Sequence, residues 1–444
     1  MKVLTIVSDL GRGGTQRVAV DVAICYKQHG HDSAVLTRRG SGPRAVDLEA
    51  AGVQVFAALN KSQSPDTPWN QQAQDWAPDV IHFHRIGLAN HTENNLIRYL
   101  KGNRGSEVRV IEHSHFGRCD RSDDHTLIDV HIQISKWCLW RWQKWARGLK
   151  DKPIGVYIPH MVNASKFTPA NPEHTTALRE QHQIPRDAFV YGYLAQSLRP
   201  KWAPVLFNAF NAIALRNSNA YLLIAGIDEY SKSHYKDFPE STRSKIIELP
   251  FVKGDEALRT VYSAMDTFVL ATNIGETFGL VLAESMCCNT PVVAMANPTR
   301  GNGQAEVVGQ RRGGLIAANP KSLVKAMQII KDDNDLRQHC AKEGREFVLE
   351  EYNSNKINSQ LINLLQIVHQ SPSRDALRSM LENDPAIVSS ITHQELKDAW
   401  GGMVGEFTPK QRFVQHLVLS PRLQAIWNIC NIKRNRKIKD EHKA

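Results

Sequence analysis

The chain has 444 residues, 42% hydrophobic and 23% charged, with a net charge of +10. That length suits two globular domains with sizeable cores, and the positive balance suits an anionic partner: a nucleotide, a phospholipid surface or nucleic acid. Seven cysteines without CxxC spacing argue against a disulfide framework or a zinc site and favour a reducing compartment. The N-terminal apolar run reaches Asp9 and Gly11 too soon for a signal-peptide core, and no run approaches the ~18 apolar residues that span a bilayer. A cytoplasmic protein with at most peripheral membrane contact is expected.

In chain order, Val3–Val7 reads as a buried parallel strand, followed by the loop Asp9–Gln16 and a helix with Val18, Val22 and Tyr26 on one face. Ser33–Thr37, Asp79–His84, Val108–Glu112 and Val130–Ser135 read as further strands. A proline- and asparagine-rich break at 158–172 reads as a linker. The rhythm restarts with strands at Phe189–Leu194, Tyr221–Ala225, Thr267–Ala271 and Pro291–Ala294, separated by helices at Ala203–Arg216, Glu256–Met265 and Leu280–Cys288. From Pro320 to about His369 the pattern is helical. The expected architecture is α/β, two Rossmann-like doubly wound domains (1–165 and 166–370) facing a cleft, plus a helical basic extension (371–444).

The strongest chemical constellation is Asn273–Met286. Gly275 and Gly279 permit close backbone approach. A helix starting near Thr277–Gly279 would turn free amides toward a phosphate. Glu276 precedes that helix and Glu284 lies about two turns into it, where a carboxylate can accept two hydrogen bonds from a vicinal diol. From spacing alone, a capping glutamate plus a solvated helix glutamate explains the pattern equally well.

This segment resembles the two-glutamate signature of retaining glycosyltransferase family 4, which has the GT-B fold. Thr290–Ala294, Gln304–Val308, Gly313–Ile316, Lys253–Leu258, Tyr262–Asp266 and Tyr221–Gly226 are similar to landmarks of that family. So are Gly13–Gln16, Pro78–His82 and Ile158–Phe167 in the first domain. The resemblance spans roughly 1–370. It implies a metal-independent, cofactor-free transferase that moves a sugar from a nucleotide diphosphate to a hydroxyl acceptor with retention.

The resemblance also implies site roles. Glu276 binds sugar hydroxyls and Glu284 the ribose. Thr277, Phe278, Gly279 and Leu280 border the donor through the helix start. Phe251 and Val252 contact the base, and Gly13 and Gly14 border the donor phosphates. Lys201 matches the family's diphosphate-binding lysine. The matching arginine slot holds Gln196, with Arg199 nearby as a substitute, and Trp202 stands where a glycine usually follows the lysine. His113 matches a histidine close to the transferred sugar, so His113, Glu276 and Lys201 are the catalytic candidates. His82 and His84 alternate to one face of a strand. His82 suits a satisfied core histidine better than a ligand, whereas His84 and His115 suit either reading.

No side chain is an evident nucleophile for a double displacement, so same-face attack, with the donor phosphate taking the acceptor's proton, is the expected route. Uridine diphosphate is favoured over guanosine diphosphate as the carrier, and the expected acceptor is a lipid-linked or growing cell-envelope glycan. A non-catalytic scaffold subunit of a polysaccharide assembly complex and a nucleotide-sugar epimerase are the competing readings. Nucleic-acid binding rests on charge alone and lacks a recognisable motif. In the extension, Thr392–Leu396 reads as a capped helix start. Phe413, Leu417, Leu423, Ile426, Trp427 and Ile432 mix with basic residues and end in Lys433, Arg434, Arg436, Lys437 and Lys439. That pattern fits an amphipathic module on an anionic membrane or a helical appendage on the second domain.

Overall fold

The computed structural model describes residues 1–60, 64–298, 301–420 and 422–423. The chain forms two compact units, Met1–Met161 with Ser354–Thr392, and Val162–Asn353 with the chain from His393.

The first unit is built on seven parallel strands: β1 (Lys2–Val7), β2 (Asp32–Thr37), β3 (Gln54–Phe56), β4 (Val80–Arg85), β5 (Arg109–Ser114), β6 (Val130–Gln133) and β7 (Ile154–Tyr157). Their order is β3-β2-β1-β4-β5-β6-β7. The second unit holds β8 (Phe189–Leu194), β9 (Ala220–Ala225), β10 (Ile246–Leu249), β11 (Thr267–Leu270), β13 (Val292–Met295) and β15 (Gly314–Ala317) in the order β10-β9-β8-β11-β13-β15. A separate two-stranded ladder pairs β12 (Gly275–Glu276) with β14 (Gly301–Asn302). In both sheets the strand order reverses beside the first strand, which is the doubly wound plan.

The local reasons are ordinary ones. β1 is apolar on both faces because helices cover both, so only its first residue is partly exposed. The helix Gly14–Gln28 buries Val18, Val22 and Tyr26 along one stripe, as its 3.6-residue periodicity dictates. Beneath the opposite face, Leu4, Ile6, Ile81, Phe83, Leu96 and Ile97 form a continuous apolar core.

The domain limits differ from the sequence reading. The first crossing falls at 161/162, and the helix Ser354–Gln370 returns to the first unit, although the sequence reading placed it in the second. The extension is also divided. The helix Arg374–Asn383 packs on the first unit with Leu377 and Leu381 fully buried. Arg374 donates to the carbonyls of Thr126, Ile128 and Asp151. Val388 then pairs antiparallel with Tyr157 on β7, the sheet's edge. The helix His393–Trp400 packs on the second unit through Leu396 and Trp400, and Val404 pairs parallel with Ala317 on β15, the edge of the other sheet. The extension thus covers an open edge of each sheet, where unpaired backbone groups would otherwise invite association. A last helix, Pro409–Leu419, leaves Phe413 63% exposed. The expected features Ile426, Trp427, Ile432 and the basic residues 433–439 lie outside the described residues. Among the described residues, no helix is long and apolar enough to cross a membrane.

Candidate active site

Ligands of doubly wound sheets sit at the carboxyl ends of the strands, where the strand order reverses. In the second unit that point lies between β8 and β11. The loop after β8 carries Lys201 and the loop after β11 carries Glu276, so two candidate site residues 75 positions apart become neighbours. The Lys201 ammonium donates to Glu276 Oε1, with side-chain exposures of 24% and 16%. This is a half-screened ion pair, reachable from solvent.

Each partner is held from below. Tyr193, at the end of β8, is buried and donates its hydroxyl to the Lys201 carbonyl at 3.0 Å. Burial, reinforced by the nearby Glu276 carboxylate, pushes the Tyr193 phenol well above its usual range, so it remains a donor. Trp202 is 1% exposed, packs edge-on against Tyr193 and donates its indole N–H to the Gln196 carbonyl at 3.0 Å. The departure from the family's glycine is therefore an anchor that pins the lysine loop into the core.

Glu276 sits on β12 rather than at a helix start. Its backbone N–H donates to Gln304 Oε1 at 3.0 Å, and its carbonyl accepts from the Gly303 N–H at 2.8 Å. Gly275 has φ +64°, and a Cβ there would lie 2.0 Å from the Gly301 carbonyl oxygen. A Cβ on Gly303 would lie 2.1 Å from the Thr277 carbonyl oxygen. Only glycine lets the two strands approach this closely. Asn297 closes the arch, its side-chain amide donating to the Asn273 carbonyl at 2.9 Å and its backbone N–H to Asn302 Oδ1 at 2.9 Å.

The helix begins at Leu280, after Gly279 in the left-handed region at φ +95°. This matches the helix expected over Leu280–Cys288, with the left-handed Gly279 as its cap, and Glu284 lies in the second turn. Phe278 is 1% exposed and packs edge-on against Tyr352, so its side chain belongs to the core. Glu284 is not a solvated helix residue. It is 4% exposed, and its Oε2 accepts from the Tyr262 hydroxyl at 2.9 Å. Phe251 is 45% exposed beyond β10 and lies beside Gly226, where a Cβ would approach its ring to 3.3 Å. Arg199 is exposed and stacks on Tyr230, 4.0 Å from the ring centroid. It makes no ion pair with Glu276 among the described residues.

In the first unit, the loop after β1 carries Gly13 and Gly14 at the head of a 15-residue helix. Gln16 folds back so that its amide donates to Asp9 Oδ1 at 3.1 Å, and a Cβ on Gly13 would strike it. His113 lies on β5, opposite His84 of β4. It is 2% exposed, and neither ring nitrogen has a hydrogen-bond partner within the protein. His82 Nδ1 pairs with the Tyr26 hydroxyl at 2.7 Å, but its Nε2 has no such partner, so the satisfied-core reading holds for one nitrogen only. Burial pushes the His82 imidazole down to about 3 and that of His113 well below its usual range, so both rings are neutral.

The sequence reading missed Tyr262, Asn297, Asn302 and Gly303 as supports. The signal was faint: a glycine pair flanking Asn302, about 25 residues from the motif it holds.

The comparisons agree with this geometry. Residues 174–347 match the glycosyl transferases group 1 family. An uncharacterized glycosyltransferase of Methanocaldococcus jannaschii is 27% identical over 312 residues, 67% of this chain and 77% of that one. A GDP-mannose-dependent monoacylated phosphatidylinositol monomannoside mannosyltransferase of Corynebacterium glutamicum is 23% identical over 54% of this chain and 63% of its own length. A D-inositol 3-phosphate glycosyltransferase of Corynebacterium jeikeium is 28% identical over 40% of this chain and 44% of its own. Among solved structures, the Anabaena protein HepE in complex with UDP-glucose superposes with a TM-score of 0.64, covering 82% of this chain and 99% of that one at 17% identity. A glycosyltransferase of Rickettsia africae gives 0.67, covering 83% and 98% at 15% identity. These likenesses establish the GT-B fold.

Proposed function

We propose that the chain is a retaining glycosyltransferase that moves a sugar from a nucleoside diphosphate to a hydroxyl acceptor. The observation that carries the reading is the Lys201–Glu276 pair at the switch point of the second sheet, with the buried Glu284–Tyr262 bond in the helix that follows. Lys201 supplies a cation to the departing diphosphate, Glu276 binds sugar hydroxyls and Glu284 binds the ribose. The backbone from Thr277 to Leu280 borders the phosphates, and Phe251 with Val252 offers an apolar platform for the base. In the first unit, the helix head at Gly13 and Gly14 presents amides to an anion. Arg199 must leave Tyr230 to take part.

The acceptor oxygen bonds to the anomeric carbon as the bond to the diphosphate oxygen breaks on the same face. The acceptor's proton passes to the departing phosphate. Charge stabilisation and positioning carry the rate, and neither glutamate acts as nucleophile. No metal is needed at the diphosphate. The acceptor class we favour is a lipid-linked or envelope glycan, supported by the lipid acceptor named for the Corynebacterium mannosyltransferase. Uridine diphosphate is the favoured carrier, and action on the inner membrane face is part of the reading.

The test is release of nucleoside diphosphate from a panel of UDP- and GDP-sugars by the full chain and by Glu276→Gln. Turnover with one donor, lost in the variant, is expected. No turnover and no donor binding would favour a scaffold subunit instead.

A further inference from the structure

The first unit holds a stack of histidines, of which the resemblance gives only His113 a place near the transferred sugar. His82 and His84 occupy alternate positions of β4 and therefore share one face, and His113 is the cross-strand partner of His84 on β5. The three rings stack nearly parallel, with centroids 4.8 Å apart and planes 22° apart for His82 and His84, 4.6 Å and 15° for His84 and His113, and 5.4 Å and 16° for His82 and His113. One nitrogen from each lies within 4.8 Å of the other two. All three side chains are at most 3% exposed.

We infer that His82, His84 and His113 form a binding site for one divalent zinc-type ion. The hydrogen bonds already present select the ligating atoms. His82 Nδ1 is engaged by the Tyr26 hydroxyl at 2.7 Å and His84 Nδ1 by His115 Nε2 at 3.3 Å, while Nε2 of each has no partner within the protein. When Nδ1 carries the proton and donates it, Nε2 presents its lone pair, which is how outer hydrogen bonds orient metal-binding imidazoles. His113 has both nitrogens unpartnered and supplies the third ligand.

Three neutral imidazoles without a carboxylate suit zinc, cobalt, nickel or copper and not magnesium or calcium. Zinc–nitrogen bonds of about 2.0–2.1 Å set ligand nitrogens ~3.3 Å apart, so closing the triad takes side-chain shifts of about an ångström together with rotation of the stacked rings, which turns their in-plane lone pairs toward one point. A three-histidine site keeps a fourth position for water or another oxygen ligand. His113, His115 and His160 form a competing triad, also within 4.8 Å. The His82 set is preferred because two of its outer nitrogens are already held. The expectation of no metal rested on cysteine spacing and on the metal-independence that the resemblance implies for the transfer; neither registers histidines brought together by strand pairing.

The test uses the full chain prepared without a polyhistidine tag and stripped with chelator, titrated with Zn²⁺ against a competing indicator, and with Co²⁺ as an optical probe. One Zn²⁺ per chain and tetrahedral cobalt bands are expected, with a rise in the wild-type melting temperature that Mg²⁺ does not reproduce. His84→Asn and His113→Asn should abolish binding, His160→Asn should leave it, and Tyr26→Phe should weaken it about 10–100-fold. Absence of stoichiometric binding or of the wild-type melting shift overturns the site, even if the histidine variants misfold. So does binding that survives His84→Asn, or that His160→Asn removes. None of these readouts depends on the transfer reaction.

Discussion

Replacing Lys201 by methionine separates chemistry from folding. The ammonium pairs with Glu276, and both side chains keep contact with solvent at 24% and 16% exposure. A pair in that regime contributes about 1 kcal/mol to stability or less. The methylene stem is retained, and the loop stays pinned by Trp202 and by the Tyr193 bond to the Lys201 carbonyl, neither of which involves the lysine side chain. A loss of ~1 kcal/mol lowers the melting temperature of a domain this size by about 2–4 °C. By contrast, a charge aimed at the leaving diphosphate acts where charge develops, and removing one such group lowers the rate about 10²–10³-fold, or ~2.7–4 kcal/mol. Calorimetry and donor turnover measured on one preparation give both numbers. A kcat/KM within threefold of wild type would refute the diphosphate role. A melting temperature lowered by ~10 °C or more would mean that the pair is chiefly structural.

Tyr262→Phe removes the hydroxyl held by Glu284 and should raise the donor KM more than it lowers kcat, because the ribose contact proposed for Glu284 is one made in ground and transition states alike; steady-state kinetics with varied donor checks this. Gly303→Ala places a Cβ 2.1 Å from the Thr277 carbonyl oxygen. It should displace β14, cost about 1–3 kcal/mol of stability and abolish turnover, read by thermal melting and donor assay. Arg199→Ala should lower kcat/KM less than tenfold, since its guanidinium stacks on Tyr230; a loss equal to that of Lys201→Met would show that it reaches the diphosphate. Truncation before Ser371 uncovers the edges β7 and β15 and removes the buried apolar side chains Leu377, Leu381, Ile391, Leu396, Trp400 and Val414. A lower melting temperature and self-association on sizing chromatography are expected.

Much of the fold was legible because buried parallel strands are short apolar runs, and Val3–Val7 and Thr267–Leu270 carry little else. The strands β3, β7, β10 and β15 were not. β3 has three residues, β7 contains Gly155 where Trp142 packs against the backbone, and β10 carries Glu248 at an edge. The amphipathic stripe of Ser354–Gln370 shows that one face is buried but not which sheet buries it. In the candidate site, the motif residues pointed to Glu276, Glu284 and Lys201, and the structure sets Lys201 against Glu276 and buries Glu284. The ladder of β12 with β14 was not, because two-residue strands leave no periodicity. The role of Trp202 was hidden for a related reason: a departure from a family pattern shows its purpose only when its packing partner, Tyr193, is seen.

The central claim is that the second unit binds a nucleoside diphosphate through Lys201 and the Glu276–Glu284 segment. Isothermal titration of the full chain with UDP and, separately, GDP tests it most directly. The account predicts one site for one of the two nucleotides, weakened at least tenfold in Lys201→Met and in Glu284→Gln. Absence of binding to both, or affinity unchanged in both variants, would contradict it.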